Sequence, residues 1–206
     1  QQSYQISQAE LRPYFVVDKV IKGLFELTEH HFNVSFEAVI NPTVWHPTVK
    51  HYLIKRDGEL IAEFYFDLYA RQHKRGGAWM TSYRGQWKVD GEDNRPVVSI
   101  VCNFTPPTES KPSLLTFREV ETLFHEFGHA LHQMLSDVTY GSISGTSVAR
   151  DFVELPSQLY EHWLEVPEVL EKFAVHVETG EAMPKALLDR LLAAQTYDMG
   201  FSTVEY

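Results

Sequence analysis

Two histidines four residues apart with a glutamate beside the first, His125, Glu126 and His129 in "TLFHEFGHALHQML", are residue types that can hold a divalent metal and move a proton. On a helix of 3.6 residues per turn, positions i and i+4 project from one face, so both imidazoles can grip a single ion. Glu126 emerges about 100° further round, where its carboxylate reaches a metal-activated water without itself ligating the metal. That is the HExxH arrangement of zinc-dependent hydrolysis. A catalytic zinc usually takes three protein ligands and leaves one position open, so a third carboxylate or imidazole is required. A metzincin would place Gly at 132 and His at 135; this chain has His132 and Leu135, which excludes that subclass. The stretch "ARDFVELPSQLYEHW" offers Asp151 and Glu154, the latter 25 residues past His129.

The elements that must position these residues are legible around them. Thr116 followed by Glu119 is a capping-box signature for a helix start. Phe117, Val120, Phe124, Phe127, Leu131 and Met134 then recur at intervals of three and four, which defines one buried stripe and makes the motif segment a helix. Further helices are expected over 10–31, 151–163, 167–179 and 185–197, with Pro156 kinking the second of these four. "HYLIKRDGELIAEFYFDLYAR" reads as two strands joined at Asp57-Gly58 in a type I′ hairpin, and "VVSIVCNF" as a third strand. "RQHKRGGAW", "VDGEDNRP" and the glycine-containing "TYGSISGTSVAR" read as loops. The fold expected is α+β and mainly α-helical, with the motif helix packed beside a small, antiparallel-rich β-sheet and followed by more helices.

Composition narrows the functional classes. At 44% apolar and 13% aromatic the 206 residues can bury a sizeable core. The 28 acidic residues against 18 basic ones give a formal charge of -10, and no basic run interleaves with aromatics, which excludes a nucleic-acid surface. No apolar run is long enough to span a membrane and no export signal is visible, so a soluble protein of the cytoplasm is expected. The single cysteine, Cys102, lies in an apolar run and is expected to be a buried structural thiol. The absence of linker composition points to one domain over 1–206, and a chain that starts on Gln1 is expected to be a piece of a longer protein.

"FHEFGHALHQML", followed by "SISGTSVARDFVELPSQLYEHW" and "ETGEAMPKALLDRLLAA", strongly resembles the M3 family of zinc oligopeptidases, in particular its oligopeptidase A branch. The resemblance runs from about residue 14 to the end, through "VWHPTVKHYLI", "GELIAEFYFDLYAR", "KRGGAW" and "VCNFTPP". It implies a partial catalytic domain of an endo-oligopeptidase acting on short peptides, one zinc per chain held by His125, His129 and Glu154, and Glu126 as general base. Asp151, one helical turn before Glu154, is expected either to hydrogen-bond a ligand histidine or to sit as a solvated cap. His132, Glu119 and Glu121 share the motif helix and are expected off the metal. The strand "SIVCNF" is the expected sheet edge for an extended peptide, and the loop from Gly141 to Gly145 the expected lid. Family members supply tyrosine and histidine donors for the oxyanion from a segment well downstream of the third ligand, absent from these 206 residues, so the isolated chain is expected to turn over slowly.

Two rivals remain at this level. An aminopeptidase would need an acidic N-terminus-binding motif upstream of HExxH, and none is evident. A zinc-binding structural module would carry the same histidines without catalysis, and would be indifferent to Glu126. The oligomeric state is not readable from the sequence.

Overall fold

The computed structural model describes residues 7–195. A short helix α1 (Gln8–Leu11) and a 3-10 turn through Pro13 precede helix α2 (Val17–Phe32). The helix expected from residue 10 therefore starts later, because Val16 is used in a β-bridge to Leu114, and Val17 N–H donates to the Ser113 carbonyl. Strands β1 (Ser35–Ala38), β2 (Lys50–Arg56), β3 (Glu59–Tyr69) and β4 (Trp79–Arg84) follow. A separate hairpin of β5 (Trp87–Val89) and β6 (Glu92–Asn94) leads into β7 (Val97–Phe104). The motif helix α3 (Phe117–Met134) comes next, then α4 (Leu155–Glu161), α5 (Pro167–Phe173) and α6 (Lys185–Gln195).

The five-stranded sheet has the order β1-β2-β3-β7-β4, antiparallel throughout except for the parallel β3–β7 pair. The hairpin at Asp57-Gly58 forms as expected, both residues having positive φ (52° and 85°), the signature of a type I′ turn. The loop expected at "VDGEDNRP" instead contains the β5–β6 hairpin, turning on Asp90-Gly91 with the same backbone signature. The strand expected at the sheet edge, β7, lies inside the sheet between β3 and β4; the edge nearest the motif helix is β4. Six of the eight β7 side chains are buried, as suits a strand covered on both sides.

Helices α2 and α3 pack on one face of this sheet. Phe127 of α3 is at the centre: it is fully buried and its ring meets those of Phe25, Phe36, Phe64, Phe66 and Tyr160. All six residues of the expected stripe are buried, and both reciprocal bonds of the Thr116–Glu119 capping box are made. This burial fixes the rotation of α3 about its axis, so His125 and His129 point away from the sheet core while Glu126, 100° on, turns toward β4. Cys102 is buried in β7 with its thiol pushed far up by burial, a structural residue as expected.

The helix expected over 167–179 ends at Phe173, because Val175 forms a β-bridge with Ala182 and the intervening turn is closed at Gly180. The last expected helix, 185–197, is present to Gln195, and its final two residues lie outside the described range.

The loop between β3 and β4 is tied down by a buried charge. Asp67 accepts two bonds from Arg71 (2.6 and 2.9 Å), one from Trp45 (2.9 Å) and one from Lys74 (2.9 Å). Asn103 of β7 donates to the Arg75 and Gly77 carbonyls, both at 2.8 Å. Burial alone would raise the Asp67 carboxyl, but the Arg71, Trp45 and Lys74 bonds outweigh it and hold it at about 2, against 3.8 ordinarily. The group is ionised in both states above the ordinary value, so its full contribution is present there. As pH falls from 3.8 to about 2 the unfolded chain takes up the proton first and the contribution disappears. Asp67→Asn is expected to lower stability by about 2 kcal/mol at neutral pH, and the difference from the parent should vanish near pH 2, as read by urea unfolding at the two pH values.

Candidate metal centre

Helix α4 crosses α3 at Gly128. A Cβ at that position would lie 2.6 Å from the Ser157 Cα and 2.7 Å from the Pro156 carbonyl oxygen, so only glycine permits the approach. Pro156 does not kink a longer helix, as the pattern suggested, but sits in the first turn of α4, where its missing N–H has no partner to lose. Glu154 is thereby the residue immediately before the helix, delivered to the face of α3 that carries the histidines. Ser157 Oγ lies 2.8 Å from the Glu154 carbonyl and 3.0 Å from its Oε2, which holds the carboxylate in place.

The outcome is a three-donor cluster. Glu154 Oε2 is 3.2 Å from His125 Nε2 and 3.0 Å from His129 Nε2, and the donor atoms all lie within 4.8 Å of one another. Tetrahedral zinc bonds of about 2.0–2.1 Å place neighbouring ligand atoms roughly 3.3 Å apart, so the spacing and the N/N/O donor set fit that ion. Among the described residues this is the group that could hold a metal, and the other eight histidines form no second one.

Glu161, which the sequence reading passed over, supplies what Asp151 was weighed for. Its carboxylate is 2.5 Å from His125 Nδ1, and a bond donated from Nδ1–H leaves the Nε2 lone pair, on the Glu154 side, free to ligate a metal. Asp151 is exposed and stands outside the cluster. The signal was available: 161 is seven residues past 154, two helical turns, and so on the same face. His129 Nδ1 is buried without a partner among the described residues, as is His132 Nδ1. Glu119 is consumed by the capping box.

Glu126 is 8% exposed, on the β4 side of the cluster, where the Met80 backbone N–H favours its charged form. Burial raises the Glu126 carboxyl, the neighbouring Glu154 charge adds to this, and His125 and the Met80 N–H oppose it. The Glu161 bond raises His125, whereas burial lowers His129. The arrangement places a desolvated carboxylate beside two imidazoles and an oxygen donor, next to a strand edge that no other strand pairs among the described residues. A group able to accept and return a proton thus adjoins a site able to polarise a carbonyl.

The loop expected to act as a lid is partly anchored. Ser144 Oγ accepts the Gln86 N–H, Gly145 N–H donates to Ser136 Oγ, and Thr146 N–H donates to Gln133 Oε1. These bonds oppose a swing of the whole loop.

An α+β chain with this cluster matches a known family. The model for peptidase family M3 matches residues 1–206, and the chain belongs to that family. Oligopeptidase A of Salmonella typhimurium is 48% identical over 200 residues, covering 96% of this chain and 29% of the relative. Oligopeptidase A of Escherichia coli is also 48% identical with the same coverage, and the dipeptidyl carboxypeptidase of Salmonella typhimurium is 39% identical over 206 residues. The chain thus spans under a third of the length of these relatives (29% to 30%). No helix among the described residues is long and apolar enough to cross a membrane.

Proposed function

We propose that residues 1–206 are a single partial catalytic domain of a zinc-dependent endo-oligopeptidase that hydrolyses bonds within short peptides. The observation that carries this reading is the convergence of His125, His129 and Glu154 with the buried Glu126 alongside. His125 and His129, as neutral imidazoles, and Glu154 would hold the metal. Zinc, when bound, supplies a Lewis acid that makes water nucleophilic near neutral pH and polarises the peptide carbonyl. Glu126 takes the proton of the attacking water and passes it to the leaving nitrogen. Glu161 keeps His125 in the required tautomer and Ser157 keeps Glu154 aimed at both imidazoles.

An extended peptide adds to the outer edge of β4, where Met80 already meets Glu126. This replaces the edge expected from the sequence. A zinc-binding structural module is disfavoured by Glu126 itself: a desolvated carboxylate beside the ligands serves no purpose in a site that only holds two helices together. A cytoplasmic setting remains our reading, in keeping with the relative named probable cytosolic oligopeptidase A in Arabidopsis thaliana.

The test is zinc content by elemental analysis together with cleavage of a quenched fluorescent peptide. The isolated chain is expected to bind one zinc and to cleave slowly, with kcat about 100-fold or more below full-length relatives, because the oxyanion donors that the M3 resemblance implies are not among its residues. Turnover equal to the relatives would refute the second expectation, and failure to take up zinc would refute the first.

A further inference from the structure

The cleft beside Glu126 has a direction. Because Glu126 returns its proton to the leaving nitrogen, the half of the peptide that departs with that nitrogen must lie on the Glu126 side of the ligands. On that side the cleft is lined by Ala78, Arg118, Thr122 and Glu126, together with His125 and the acidic Glu121 and Glu161. The strand tells the same story independently. Met80 meets Glu126, while Ala78, two residues earlier, lines the cleft with Thr122 and Arg118 further back along α3. β4 and α3 therefore run in the same sense, and a peptide paired antiparallel to β4, the commoner pairing, runs with its C-terminal end toward Arg118.

Arg118 is the cation among the cleft residues, and its guanidinium makes no ion pair among the described residues. It precedes His125 by seven residues on α3, about 10 Å along the axis at 1.5 Å per residue. An extended peptide covers that distance in about three residues. A guanidinium offers a fork of donors that matches a carboxylate, and it stays charged at any working pH.

We propose that Arg118 is a specificity-determining residue that binds a carboxylate on the leaving fragment, about three residues beyond the scissile bond. The proposal deepens the peptidase reading and rests on it. The carboxylate is either the α-carboxylate of a peptide ending there or an acidic side chain at that position. Arg118 offsets Glu121, Glu161 and the protein's overall charge of -10, which would otherwise disfavour an anionic end.

The experiment measures binding of one peptide in four forms to the zinc-loaded chain carrying Glu126→Gln, by calorimetry. The forms end three residues past the scissile bond as a free acid, as an amide, as an amide with Glu at the last position, and as an amide with Lys there. Hydrolysis by the parent chain, with and without zinc, is followed in parallel. The free acid is expected to bind about tenfold more tightly than the plain amide if the α-carboxylate is read, and the Glu amide to do so if a side chain is read. Adding Arg118→Ala should bring either ratio to about one, and Arg118→Lys should keep part of it. Equal binding of all forms, no detectable binding of any form, a preference for Lys, or a preference that survives Arg118→Ala overturns the proposal. If zinc-dependent hydrolysis persists in those cases, the Arg118 assignment alone fails; if the parent shows no zinc-dependent hydrolysis, the peptidase reading fails with it.

Discussion

Glu126→Gln is expected to lower kcat for a quenched peptide by about 10³-fold while leaving zinc stoichiometry at one. General acid–base groups typically contribute 10²–10⁴ in rate, and here the same group both takes and returns the proton, which places the loss well inside that range. Glutamine keeps the size of the side chain and a carbonyl oxygen on the Met80 side, so β4 and α3 should stay in register. Removing a buried carboxylate whose ionisation is opposed by burial should also leave the fold at least as stable as before. The decisive pair of measurements is metal content and single-turnover rate. A variant that retains both zinc and turnover would remove Glu126 from the role of general base.

Glu154→Ala is expected to act on the other half of the mechanism, the metal itself. Glu154 is the donor that α4 brings to α3, and its Oε2 faces both imidazoles at 3.0–3.2 Å. Without it two histidines remain, on one helix, and zinc affinity should fall by at least about 100-fold. Metal also stabilises any fold whose site it binds, by an amount set by its concentration relative to the dissociation constant. Zinc should therefore raise the melting temperature of the parent and leave that of Glu154→Ala nearly unchanged at micromolar metal. Competition against a chromophoric chelator gives the affinity, and a thermal scan with and without zinc gives the coupling. Unchanged affinity would remove Glu154 from the ligand set.

The features legible in the sequence were those set by local rules. The stripe on α3, its capping box and the Asp57-Gly58 turn each depend on residues within a few positions of one another, and each stands as read. Strand order does not have that property. β7 contains the most apolar strand in the chain, and only the pairing of β4 on its far side shows that it is interior. β4 itself, "WMTSYR", is half exposed with no clean alternation, the weak pattern of an edge strand, and gave no signal. At the site, the motif spacing located His125, Glu126 and His129, and the resemblance selected Glu154 over Asp151. Glu161 belongs to no motif, and only its two-turn spacing from Glu154 on the segment that becomes α4 marks it. Gly128 was visible as a letter of the motif, but its reason, the approach of Pro156 and Ser157, exists only once α4 is placed.

The outer side of β4, unpaired among the described residues, also bears on solubility. An unpaired strand edge is a template for another copy of the same chain as much as for a peptide, and such edges are common starting points for aggregation. β4 is six residues long, and its pairing with β7 is irregular between Ser82 and Arg84. A bulge of this kind twists the strand end away and leaves a flat run of only Trp79 to Ser82. Four residues suffice to hold a short peptide whose other contacts are to the cleft, but they give two copies of the protein little to zip together. The same irregularity that limits how much substrate backbone can be held thus protects the free protein from joining edge to edge.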